Sequence, residues 1–235
     1  MTANRLLITI EATQLALEER LDEATHGEVR LSRPREGRAR VDAFLSSTSR
    51  HLAAVEEVLV PAARRELPDG DRRAGEYLHQ ARALELALAT LKARVYGAVA
   101  ATHIPWAEVW YDVRRELARH NELERALVGN LVIVGDDSSH EATHDELADR
   151  LYRAELKAPT RAHPYLPHRG PLGVVARRVW AVADRFWDTT EDRTVPQPVR
   201  PPSKEHAHDS LVVQYLTGEP RLDAAAPLFA HRRRR

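Results

Sequence analysis

The chain contains no cysteine among its 235 residues. Disulfides, thiolate zinc sites and cysteine nucleophiles are therefore excluded. Aromatic residues make up only 6% of the sequence, and β-branched residues are also sparse, which argues against strands. Neither sign of charge is in excess: Lys+Arg and Asp+Glu are 35 each. Such a balance gives no global attraction to nucleic acid or to an acidic membrane surface. No apolar run approaches the roughly 18 residues of a membrane span. The N-terminal run Leu6, Leu7, Ile8, Ile10 is broken by Thr9 and Glu11 and has no small-residue cleavage site, so it does not read as a signal peptide. The ten glycines form neither G-x-x-x-x-G-K nor G-x-G-x-x-G, and a nucleotide loop is not supported. A cytoplasmic setting is the simplest expectation.

What remains is rich in Ala, Leu, Arg and Glu, the strong helix formers. Apolar stripes near the 3.6 period predict helices over Arg5–His26, Arg38–Glu66, Arg72–Tyr96 and Pro105–Val134. Breaks fall at Pro34 and Gly37, at Pro68-Asp69-Gly70 and at Gly97, and Pro61 is expected to kink or end the second helix. The fold class expected is all-α, an up-and-down antiparallel four-helix bundle over residues 1–135. A C-terminal helical and Pro-rich extension is expected over 136–215, packing on the bundle, with a basic tail over 216–235. Within it, one helix starts at Ser138 or Ser139 and runs to Lys157, and another spans Gly173–Thr189.

The histidines carry the chemistry. His120 and Glu124 lie one turn apart in H-x-x-x-E, a spacing that puts both on one helix face. They read as two ligands of a metal or as a solvated face. His51 sits on the apolar stripe of the second helix and reads as a ligand or as a buried histidine hydrogen-bonded to a neighbouring helix. Its i+4 residue is Val55, which cannot ligate, and Glu56 lies about 100° further round. His79 follows Glu76 in E-x-x-H, with a surface pair as the alternative. A second group comprises His140 and His144 in H-x-x-x-H, the loop residues His163 and His168, and Asp184 with Asp188. It reads as a metal clip or as helix capping with exposed loop histidines.

The segment from His51 through Glu56 to Pro61 is similar to H-x-x-x-E-E-x-x-x-x-P of the hemerythrin-like, or HHE cation-binding, family. His79 and the His120 and Glu124 pair correspond to that family's third-helix and fourth-helix ligands. The resemblance covers Arg5 to Val134. It implies a four-helix bundle holding non-haem iron, with oxygen, nitric oxide or peroxide as ligands. The metal ligands it implies are His51, His79, His120 and Glu124, with Glu56 and Glu11 as fillers of vacant positions. Ile10 and Val55 depart from the pattern, where a histidine and a glutamate are expected. Three functions are compatible with these residues. One is a sensor, carrier or scavenger with a partial iron site. Another is a metal-free interaction or regulatory module. The third is a non-haem iron oxidase or peroxidase.

Overall fold

The computed structural model describes residues 4–26, 34–134, 138–161, 184 and 195–203. The secondary structure among them is helical throughout: α1 (Arg5–His26), α2 (Pro34–Glu66), α3 (Gly70–Val95), a short 3-10 turn at Val99–Ala101, α4 (Trp106–Val134) and α5 (Ser138–Lys157). No described helix is long and apolar enough to cross a membrane. The expected helix Gly173–Thr189, apart from Asp184, lies outside the described residues, as do His163, His168 and the basic tail.

The apolar stripes explain the packing. Leu6, Ile10, Leu17 and Leu21 recur along α1 at the helical period, and all four are buried. They join Phe44, Leu52 and Leu59 of α2, Leu84, Leu88 and Leu91 of α3, and Leu117 and Leu131 of α4 in one core. α1 contacts α2 and α4, and α3 contacts the same two helices. Gln14, Glu18 and Asp22 of α1 meet Glu124, Asn121 and Arg114 of α4 in that order, so the two run antiparallel. Tyr77 and Gln80 of α3 meet His120 and Glu116 of α4, again antiparallel. α5 packs on α2 and α1, and Leu147, Ala148 and Leu151 belong to the common core.

The ends of the helices have local causes. The Asn4 side-chain oxygen accepts from the Leu6 backbone N–H at 3.0 Å, which caps α1. Pro34 opens α2 four residues before the expected start, since proline at the first helical position loses no needed donor. Pro61 does not end α2. The carbonyl it leaves without a helical donor belongs to Glu57, an exposed residue that water can reach. Trp106, at the start of α4, is 41% exposed. It stacks on Trp110 at 6.3 Å and carries the Arg94 guanidinium 4.6 Å above its ring.

The α2–α3 turn is tight. Asp69 takes a left-handed conformation (φ 56°), and the Gly70 N–H donates to the Leu67 carbonyl at 3.0 Å. A Cβ at Gly70 would collide with the Ala63 carbonyl oxygen and lie 2.8 Å from Arg64 Cα. Both obstacles are backbone and cannot move aside. Gly70→Ala is therefore expected to cost about 1–3 kcal/mol while leaving helix content unchanged. Urea unfolding followed by circular dichroism measures this, and an unchanged midpoint would remove the steric argument.

Two arginines fix the Pro-rich segment 195–203, which has no regular structure. Arg5 donates to the Pro202 carbonyl at 2.7 Å and pairs with Asp149 of α5 at 2.6 Å. Arg50 donates to the Pro196 carbonyl at 2.8 Å.

Candidate functional site

Polar side chains from all five helices meet in the middle of the apolar core. His51 projects from α2 with 1% exposure, and each of its ring nitrogens faces a carboxylate. Nε2 lies 2.7 Å from Glu124 Oε1, and Nδ1 lies 2.7 Å from Glu155 Oε1 of α5. The second Glu124 oxygen accepts from the Gln14 amide of α1 at 2.6 Å. Tyr77 of α3 lies with its hydroxyl 2.8 Å from His120 Nε2. The rings of His51 and His120 stand edge to face, their centroids 6.3 Å apart.

The charges follow from this geometry. Burial opposes a charge on His51, but Glu124 and Glu155 overcome it and hold its pKa up to about 10. With a carboxylate at each nitrogen, both nitrogens donate and the ring is an imidazolium. Burial works against the Glu124 charge too, yet His51 beside it pulls its pKa below the usual carboxylate range. His120 goes the other way. Burial lowers its pKa, aided by the nearby His51 charge and opposed by Glu124. A neutral His120 leaves Nε2 free to accept from the Tyr77 hydroxyl. Burial and the carboxylates Glu124, Glu56 and Glu85 push the Tyr77 pKa well up, so the phenol keeps its proton. His120 Nδ1 makes no hydrogen bond of ordinary geometry, although the Asn121 amide is near enough to favour its protonated form.

The six expected ligands divide. His51, His120, Glu124 and Glu56 are buried. His79 and Glu11 are exposed on outer faces of α3 and α1, and the expectation that His79 joins the other histidines is corrected. The inward residue of that turn of α3 is Tyr77, on the apolar stripe with Leu78, Ala81, Leu84, Leu88 and Leu91, and His79 lies two positions further on, about 200° around the axis. Ile10 and Val55, both fully buried, are ordinary packing residues. Gln14 and Glu155 do not figure among the sequence candidates, and Tyr77 reads only as a packing residue of the α3 stripe. Gln14 follows Ile10 by four residues and precedes Leu17 by three on an apolar stripe. Glu155 follows Leu147 and Leu151 at four-residue steps. A polar residue on a core stripe was the available signal.

In the second histidine group, His144 is buried and its Nδ1 lies 3.0 Å from the Asn4 amide nitrogen, at the start of α1. Asp184 is buried against Arg161, accepting from its backbone N–H at 3.0 Å. The side chain of His140 lies outside the described residues.

The residues do not fit a two-iron cage. Such a cage needs carboxylates and neutral imidazoles that present lone pairs to a shared point. Here the facing groups are complementary: Gln14 donates to Glu124, Tyr77 to His120, and His51 to two carboxylates. A single ion would have to displace the proton that His51 directs at Glu124. No group of three or more metal-ligating side chains with suitable geometry occurs among the described residues. No family model, curated protein or solved structure matches this chain.

Proposed function

We propose that this chain is a hemerythrin-like four-helix bundle in which a proton network occupies the place of the metal, and that it serves as an interaction or regulatory module. The observation that carries this reading is His51, bonded at 2.7 Å to a carboxylate from each of two other helices. A doubly donating imidazolium ties α2 to α4 and α5 as a bridging metal ties ligand helices. Gln14 extends the tie to α1, and Tyr77 with His120 joins α3 to α4. The antiparallel contacts of α4 with α1 and α3 accord with the bundle. A centre closed by complementary hydrogen bonds leaves no position open for a small oxidant. The module then acts through its surfaces.

One observation favours a second reading, a partial site for a single iron on His51, His120 and Glu124. A carboxylate on the far nitrogen of a histidine, as Glu155 is on His51 Nδ1, is how metal-binding imidazoles are oriented. Metal analysis separates the two. Untagged protein is expressed with added iron and its content measured. The module reading expects iron far below one per chain and no shift of the melting temperature on adding ferrous iron. One iron per chain, lost in His120→Ala, would replace it with the second reading. Two irons per chain with an oxo-bridge absorption band would overturn both.

A further inference from the structure

On the outer side of α3 and α4, opposite the buried network, lies a groove of about 530 Å³. Arg72, Gly75, Glu76 and His79 line one wall, at the i, i+3, i+4 and i+7 spacing of a single helix face. Arg119 and Leu123, one turn apart on α4, line the other. We propose that this groove binds a small phosphorylated molecule, with Arg119 and His79 as its principal donors and Arg72 in support. The proposal is independent of whether the bundle's centre holds a proton or a metal.

Charge and hydrogen bonding carry the argument. The groove's carboxylate is already matched, since Glu76 accepts from Arg72 at 2.7 Å. The neighbouring Glu116 accepts from Gln80 at 2.7 Å and from Arg115 at 2.9 Å. Arg119 and His79 are exposed; Arg119 lies near enough to Glu116 to help lower its carboxyl pKa, but neither residue is held by a hydrogen bond or an ion pair within 4 Å among the described residues. They stand on facing helices. A carboxylate has two oxygens in one plane and suits a single guanidinium fork. A phosphate presents three oxygens around a tetrahedron and can meet donors from two walls at once. Leu123 offers apolar surface for the carbon part of the molecule. The volume falls in the range of small-molecule sites, roughly 300–1,000 Å³.

Gly75 is the second observation. It lies inside α3, where glycine costs helix stability relative to alanine. No packing contact requires it, because a Cβ there would meet nothing within 4 Å. The space it leaves open is the groove.

The test uses the full chain and three probes, inorganic phosphate, glycerol 3-phosphate and acetate, titrated by calorimetry, with ³¹P line broadening following the two phosphates. Saturable binding at one site per chain is expected, tighter for the organic phosphate. Arg119→Gln should weaken it about tenfold, the worth of one charge-assisted pair. Gly75→Leu should weaken it comparably by filling the floor. Arg119→Gln changes an exposed position and should melt with the wild type, and Gly75→Leu should melt no lower, since leucine is the better helix former. Arg40→Gln, an exposed arginine on α2, should bind as the wild type does. No saturable binding to the wild type at about 10 mM phosphate overturns the proposal. Equal losses in Arg119→Gln and Arg40→Gln overturn it too, because they would report only diffuse charge. Tighter binding of acetate than of phosphate would reassign the groove to carboxylates.

Discussion

His51→Leu is expected to lower the stability of the protein by about 3–5 kcal/mol at neutral pH. Leucine is close to histidine in volume and leaves little cavity, so packing loss is not the main term. The loss comes from the partners. Glu124 and Glu155 each sit 2.7 Å from a His51 nitrogen, and Glu124 is fully buried. Removing the imidazolium strands two carboxylates in the core. They answer by taking up protons, so the loss should be smaller near pH 4.5, where protonation is inexpensive, than at pH 7. Glu124→Leu on the same background should recover part of the stability, since one stranded charge is gone, although the Gln14 amide loses its acceptor. Urea unfolding of the two single variants and the double variant closes a cycle whose coupling term belongs to the pair. A loss under about 1 kcal/mol, independent of pH, would mean that the 2.7 Å contacts carry no charge and that the network is not what joins the helices.

The same residues show where a sequence stops being readable. Apolar periodicity places α1 and α5 with both expected ends, because those helices begin and end at capping or breaking residues. It places α2 and α3 with small errors at their first turns, where Pro34 and Gly70 act as helix starters rather than as breaks. The candidate site was half legible. His51, His120 and Glu124 lie on core stripes, and a titratable group on a core stripe must find a partner. His79 misleads because a family pattern fixes spacing along one helix and does not fix that helix's rotation. Two residues correspond to a change of about 200° around the axis, enough to put Tyr77 inside and His79 outside. Glu155 could not be assigned to His51 at all. The two are 104 residues apart, and only the packing of α5 on α2 brings them together.

Stability should pass through a maximum near pH 6.5. Two buried histidines set the two flanks with opposite signs. The His51 pKa is raised in the folded chain, from 6.5 to about 10. The stability it contributes is fully present below 6.5 and is lost as the pH rises through about 10. His120 has the reverse shift, lowered by burial. Its contribution is present above 6.5, the ordinary value, and is lost as the pH falls toward its folded pKa. Glu124, also lowered, adds to the acid flank below the usual carboxylate range. The alkaline flank is the larger, on the order of several kcal/mol, because a shift of one unit is worth about 1.4 kcal/mol. Chemical denaturation at intervals from about pH 5 to about pH 10 traces the curve. His51→Leu should replace the decline toward pH 10 by one at lower pH, where the two stranded carboxylates ionise, and His120→Gln should flatten the acid side while leaving the alkaline one in place. A wild-type curve that is flat between pH 6.5 and 9 would show that the fold holds no extra proton on His51 or its two carboxylates, so that His51 is neutral there.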